Sequence, residues 1–524
     1  MTAVGTPVPE QNAGWWYLDR HLAEGRAELT CLLSGDDTLS YRDLHQLAAQ
    51  VARVFTEAGL VPGDRIVLVL HDHPLAVAAI LAALRIGAVA VPINPVLSID
   101  EQDYVVTDSG ARGVVVETSG GELAGRLASR DDVTVWGKAA GDAAATNLPD
   151  LPGLTELATA ARPLPEVTAR RPEDIAVIQY TSGTTGKPKG VVHRHRGLLR
   201  FPDGLGRALE MAAEDRCLST AKLSFGYGFG NSLLLPLSAG AAAVLYPGRP
   251  EPHAIAGLLR TARPTVFFGV PTLYAALLAM PRAAERLDFS GVRLAVSAGE
   301  HLGATLRRKL FDTFGLDVVN GLGSTECLHI FLATLPGTTR RDTSGEPVAG
   351  FELEARDEAG NPVPSDEPGQ LWVHGPSVAD QYWNRPEETA ATFRDGWVRT
   401  GDTVRYGPDS GWIYIGRSDD MLNVAGFKIS PTELEEQVLK HPEVGSCAVV
   451  GIPDEDELTR IVVYAVPEPG VPEGLDTRLL SALRKALPSH KRPKVVRVVA
   501  ELPRTSTGKI ARFAVRRQEL ESTP

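Results

Sequence analysis

The chain has 524 residues, of which 43% are hydrophobic and 23% charged, with a formal net charge of −12 and a pI near 5.6. Such a length calls for two or three domains with large cores, and the acidic balance disfavours a general nucleic-acid surface, which needs a basic patch. No apolar run approaches the span of a bilayer, and the opening MTAVGTPVPEQNAGWWYLDRHL has no basic segment leading into an apolar stretch, so a cytoplasmic protein with no membrane partner is expected.

From Leu39 to Val115, helix-like stretches (LSYRDLHQLAAQVARVFTEAGL, PLAVAAILAALRIG) alternate with short apolar runs (DRIVLVL, AVAVPIN). This alternation predicts a mostly parallel α/β sheet. Residues 131–171 are Ala/Pro-rich and weakly patterned, and read as a surface excursion. The run AVIQY then reads as a buried strand, and YTSGTTGKPKG (180–190) follows it. A loop of this composition can turn backbone N–H groups inward around an anion, bridge two strands, or act as a linker. It is no Walker loop: Thr181 stands where the first glycine belongs, and Pro188 follows Gly186-Lys187. Its place after a strand is where open α/β sheets bind ligands. His193 and His195 in VVHRHRG resemble a metal pair, but no third ligand is near, and they read as a basic edge beside the loop. The pattern continues through AAAVLY, TVFFGV, RLAVSAG and LDVVNGLG.

After Gly345 the texture changes to short strands and turns (FELEARDEAGNPVP, GQLWVHGP, GWIYIGR), which predicts a small antiparallel region. A polar hinge falls at Arg417-Ser418-Asp419-Asp420. Beyond it, SPTELEEQVLKHPEV opens with a helix start, SCAVVGIPD and RIVVYAVPE read as strands, and LLSALRKALPSHKRP is an amphipathic helix. The expected fold is therefore α/β: a large N-terminal domain of several subdomains over residues 1–417, and a mobile α+β domain over 418–524. Cys31, Cys217, Cys327 and Cys447 lie far apart without C-x-x-C spacing, which argues for reduced thiols and against a zinc site.

TSGTTGKPKG (181–190), GLGSTE (321–326), RTGD (399–402), GRSDDMLNVAGFK (416–428) and PRTSTGKI (503–510) occur in one order. Together they resemble the adenylate-forming superfamily of acyl-CoA ligases, nonribosomal adenylation domains and luciferases, over about Leu39 to Arg517. That resemblance implies an enzyme using ATP, Mg2+ and a thiol, either coenzyme A or the phosphopantetheine of an acyl-carrier protein. A carboxylate is a poor electrophile until its oxygen is joined to the α-phosphate of ATP, and the meeting of two anions demands preorganised donors and a cation.

By the resemblance, Thr181, Ser182, Gly183, Thr184, Thr185 and Gly186 cradle the pyrophosphate portion, with Lys189 close by. Thr325 touches the α-phosphate and Glu326 holds magnesium. Gly299, Glu300, Asn320, Gly321 and Leu322 surround the nucleotide, while Asp402 accepts from the ribose hydroxyls and Arg417 donates to them. Lys509 bridges carboxylate and α-phosphate as a point charge. After adenylation the small domain turns about Asp419 and presents Gly426, whose missing side chain lets a pantetheine arm pass. Lys428 is expected to contact the nucleotide or to pack between the domains.

Within the superfamily, NAGWWYLDRHL, AKLSFGYGFGN, SAGE and GLGSTECLHIF resemble benzoate-CoA ligases. The resemblance lines a flat aryl pocket with Gly226, Tyr227, Ala298, Gly323, His329 and Ile330, and Ser224 would polarise or widen it. Few polar groups among apolar walls suit a benzene ring. The implied substrate is a small aryl carboxylic acid, benzoate or a hydroxy- or amino-benzoate, and a homodimer is compatible. Loading of an acyl-carrier protein stays as an alternative; a non-catalytic adenylate sensor is opposed by intact Lys509, Glu326 and Asp402.

Overall fold

The computed structural model describes residues 8–117, 121–127, 129–138, 151–181, 187–336, 343–424, 427–453, 459–504 and 509–522. Two largely parallel sheets dominate. One has six strands in the order 134–137, 113–116, 65–69, 89–93, 175–181 and 189–194; the other has nine and is built around 318–323, 294–297, 266–269, 216–219 and 242–245. The strands Arg65–Val69 and Val89–Ile93 are almost entirely buried, as parallel strands covered on both faces should be.

Helix Tyr41–Glu57 begins where the notched pattern of apolar residues predicts. Ser40 caps it by accepting from Asp43 N while Asp43 reaches back to the Ser40 backbone, an arrangement of about 1 kcal/mol. Its buried stripe of Leu44, Ala48, Val51, Ala52 and Phe55 packs on helix Pro74–Arg85, which is buried from Leu75 to Arg85. Arg85 tolerates this burial because it is paired with Asp19. One apolar cluster contains Leu68 and Ala90 of the six-stranded sheet and Leu32, Phe268 and Val296 of the nine-stranded sheet, so the sheets share a core.

The region 131–171 departs from the surface excursion expected of it. Thr134–Gly137 adds an edge strand, with Trp136 buried against Phe55 at 5.3 Å, and helix Leu154–Ala160 buries Leu154 and Ala158 against helix Tyr41–Glu57. Tertiary packing supplies what the local pattern lacks; residues 139–150 lie outside the described residues.

The antiparallel region forms as a five-stranded sheet in which Gly411–Arg417 pairs with Trp397–Gly407. Past it, a short ribbon of Leu422–Val424 with Phe427–Ile429 precedes a three-stranded sheet and helices Pro431–Val438 and Leu475–Ala486, which have apolar clusters of their own. A last helix, Arg512–Ser522, carries too weak an apolar periodicity to be read from sequence; it buries Val515 and Glu519, the latter bonded to Tyr464 and Arg497. Among the described residues no helix is long and apolar enough to cross a membrane.

Candidate active site

The carboxyl ends of the central strands point to one cleft. Strand Ile175–Thr181 runs into the Gly/Ser/Thr loop and returns as Lys189–Arg194, so that loop bridges two antiparallel strands. Its residues Ser182, Gly183, Thr184, Thr185 and Gly186 lie outside the described residues. Strand Leu294–Ser297 leads to Ala298, Gly299 and Glu300, and Val318–Gly323 leads to the 3-10 turn Thr325–Cys327. Ser324 caps that turn by accepting from Cys327 N. The following residue, Leu328, is buried at φ +72°, a non-glycine conformation costing about 1–3 kcal/mol that the surrounding packing must over-determine. Such strain beside Thr325 and Glu326 marks the turn as held for position.

Glu326 is fixed by Tyr382, whose hydroxyl donates to its Oε1 at 2.8 Å, and by Ala379 N, which donates to its backbone oxygen at 2.7 Å. The same tyrosine ring lies 5.4 Å below the Lys189 ammonium, and Lys189 is paired with Glu388 at 2.5 Å. Tyr382 thus links Lys189, at the start of the returning strand, to the carboxylate that the resemblance assigns to magnesium. Sequence reasoning missed it because a tyrosine in QYWNRP carries no spacing signal towards residue 326. Tyr382→Phe is expected to raise the Mg2+ concentration for half-maximal ATP–pyrophosphate exchange about tenfold, the scale of a lost hydrogen bond to a charged group, with the Michaelis constant for the acid unchanged. An unchanged magnesium requirement would reduce Tyr382 to a packing role.

On the opposite wall, Asp402 and Arg417 face each other across a strand pair, with Nη1 3.4 Å from Oδ1. Arg417 also donates to Thr400 O at 2.9 Å. Gly401, at φ +75°, lets the guanidinium lie flat, since a Cβ there would come within 2.8 Å of Nη2. Desolvation raises the Asp402 pKa, Arg417 opposes this, and the nearby Glu326 carboxylate adds to it. Lys509 enters from the C-terminal region, its Cε 3.9 Å from the position a Cβ on Gly299 would take. As a residue it is exposed. The atoms crowded around the ammonium nonetheless lower its pKa by desolvation, against the pull of Glu300 and Asp402 and with the push of Arg417. Glu300 is anchored by the Thr272 hydroxyl at 2.6 Å, and Arg504 donates to that same hydroxyl at 3.2 Å. His301 joins Glu436 at 2.6 Å, a further contact between the residues that follow strand Leu294–Ser297 and the C-terminal region.

Of the residues that the resemblance assigns to an aryl pocket, Tyr227 and His329 lie against each other. The Tyr227 hydroxyl reaches the backbone oxygens of Gly269 and Val296 at 3.3 and 3.4 Å, and the Tyr227 ring lies 5.2 Å from His329. His329 is buried, with its pKa pushed down to about 3 by desolvation, so it is neutral. Gly230 makes room for this ring, for a Cβ there would collide with it. Ala298 and Ile330 are buried, and Ile330 fills the space beside Gly321. Gly323 passes so close to His329 O and Ile330 Cα that a side chain would not fit. Asn320 is tied by backbone bonds to Thr334, and Leu322 packs partly buried on the apolar cluster of the antiparallel sheet.

His193 and His195 correct the expectation of a basic edge. Both are buried, and desolvation pushes their pKa values down to about 4 and about 3. His193 is hydrogen-bonded to the Thr325 backbone, and His195 Nδ1 accepts from Ala13 N at 3.0 Å. They position chain segments as neutral rings. Asp419 stands 3.4 Å from Arg417 Nε. Lys428 pairs through its backbone with Asn423, and Gly426 lies outside the described residues. All four cysteines are buried and free, and no group of three potential ligands for a metal ion occurs among the described residues.

The profile of the AMP-binding enzymes matches residues 19–383, and that of the AMP-binding enzyme C-terminal domain matches 433–509. A benzoate-CoA ligase of Thauera aromatica is 38% identical, the match covering 97% of this chain and 96% of that one. A 4-hydroxybenzoate-CoA/benzoate-CoA ligase of Rhodopseudomonas palustris is 36% identical over 98% and 95%. Among solved structures, an anthranilate CoA ligase in complex with anthranoyl-AMP superposes with a TM-score of 0.92 at 32% identity, covering 98% of both chains. A benzoate CoA ligase from Burkholderia xenovorans gives 0.88 at 35% identity, covering 96% and 99%.

Proposed function

The chain belongs to the AMP-binding enzyme family, and from that premise we propose that it activates a small aryl carboxylic acid with ATP and passes the acyl group to the thiol of coenzyme A. The observation that carries this reading is the meeting of Lys509, Glu300, Asp402 and Arg417 at one cleft, next to the largely apolar wall around Tyr227. Relatives named for benzoate, hydroxybenzoate and anthranilate support the substrate class, and their names as CoA ligases favour coenzyme A over a carrier protein.

In the first step the carboxylate oxygen attacks the α-phosphorus, and pyrophosphate leaves. Lys509 offsets charge on both reacting groups, and Thr325 donates to the α-phosphate. Lys189, with the loop 181–186, takes the leaving phosphates. Asp402 and Arg417 fix the ribose, and Gly299, Glu300, Asn320, Gly321 and Leu322 shape the nucleotide's surroundings. A carboxylate held in place by a hydroxyl is a donor suited to a hard cation, so Glu326 would hold magnesium, which when bound draws charge from phosphate oxygens. In the second step the thiol sulfur bonds to the carbonyl carbon and AMP leaves. The domain 418–524 turns about Asp419 between the steps, and Gly426 borders the thiol's approach.

Incubation of the protein with ATP, Mg2+, an aryl acid and either coenzyme A or a phosphopantetheinylated carrier protein, followed by mass detection, is expected to yield aryl-CoA. Acylated carrier protein without aryl-CoA would overturn the choice of acceptor.

A further inference from the structure

Gln179 sits on strand Ile175–Thr181, two residues before the phosphate loop, and is 1% exposed. Neither its Oε1 nor its Nε2 has a hydrogen-bond partner among the described residues. Its neighbours Ile178 and Tyr180 alternate to the other face, where Tyr180 bonds to Asp108 at 2.7 Å. Gln179 faces the cleft side: its Oε1 is 3.3 Å from where a Cβ on Gly226 would lie, and Thr325 Oγ1 is 3.7 Å from the same point. Gly226, by lacking a side chain, leaves that space to the amide.

A second unpaired group lies beside Tyr227. His329 Nε2 is within bonding distance of Tyr227 O at 3.2 Å and Asn231 Oδ1 at 3.0 Å. A carbonyl oxygen only accepts, so Nε2 carries the proton and Nδ1 presents a lone pair. That Nδ1 is buried and has no partner among the described residues, and neither has the buried Ser224 Oγ. Burying such groups without partners is costly, and a site built in this way rejects ligands that cannot supply the missing bonds.

We propose that Gln179 is a specificity-determining residue, selecting benzoates that carry a hydroxyl or amino group on the ring over benzoate itself. The substituent donates to Gln179 Oε1 or to His329 Nδ1, and a hydroxyl also accepts from Gln179 Nε2. This rests on the proposed activation of an aryl acid and narrows it.

The test is ATP–pyrophosphate exchange with benzoate and with the hydroxy- and aminobenzoates substituted at each ring position, using wild type and Gln179→Leu. In the wild type at least one substituted acid should exceed benzoate in kcat/KM by about tenfold or more. Gln179→Leu should erase most of that advantage, leave the Michaelis constant for ATP unchanged, and raise Tm, because two unpaired buried atoms are removed. Calorimetric titration of the wild type with the same acids supplies a ranking that does not depend on the variant folding. The inference is overturned if benzoate matches every substituted acid in the wild type, or if Gln179→Leu keeps the ranking and instead weakens ATP, which would assign the amide to the nucleotide. Exchange with none of the aryl acids would overturn the aryl-acid reading itself.

Discussion

Lys509→Ala is expected to depress ATP–pyrophosphate exchange by about 100- to 1,000-fold, the range for deleting one preorganised charge donor, while the protein still converts supplied aryl-AMP and coenzyme A to thioester. The ammonium is placed where Glu300, Arg417 and Asp402 all act on it, and desolvation holds its pKa below the ordinary lysine value. The sign of the pH dependence follows. Protonated lysine is the working form, so exchange should fall as pH rises through this lowered pKa, at an alkaline limb below pH 10.5. The thioester step measured from aryl-AMP should lack that limb. Lys509→Arg, which stays charged, should lose it from exchange as well. Full exchange by Lys509→Ala would remove the lysine from the chemistry.

Gly426→Ile is expected to do the reverse: exchange persists, while thioester formation is blocked, because on the role proposed for Gly426 a branched side chain would stand in the path of the pantetheine arm. For this the small domain must leave the arrangement that places Lys509 in the cleft. The contacts to be broken include His301 with Glu436, Lys309 with Glu468 at 3.8 Å, and Arg504 with Thr272. Partly exposed pairs of this kind are worth about 0–1 kcal/mol each, so they favour one arrangement without locking it. Equal loss of both half-reactions in both variants, with folding intact by circular dichroism, would contradict the alternation of two faces.

Much of the candidate site could be proposed from the sequence because its chemistry needs residue types that cluster locally. Glycines and hydroxyls before Lys189, Thr325 next to Glu326, and Asp402 after Gly401 are each written within a few positions. The parallel strands were legible for the same reason, as short apolar runs between helices. What was not legible depends on distant partners. Tyr382 meets Glu326 from 56 positions away, and nothing around QYW announces it. Gln179 read as one more residue of a buried strand; only the side on which it emerges, beside a glycine, shows an unpaired amide. The two histidines misled for the converse reason, since their spacing suggests exposure and charge while the fold buries both as neutral rings. The strand Thr134–Gly137 and helix Leu154–Ala160 were hidden by alanine and proline around them, and owe their order to Phe55 and the sheet edge.

ATP–pyrophosphate exchange across a panel of carboxylic acids addresses the central claim most directly, because exchange requires reversible formation of the acyl adenylate and nothing later. A slot that accepts a flat ring excludes a long chain by shape rather than by the about 1–3 kcal/mol of a single methylene. Exchange driven by small aryl acids and far weaker with acetate or palmitate is the result predicted. Equal exchange with palmitate and the aryl acids, or none with any aryl acid in the presence of Mg2+, would contradict it.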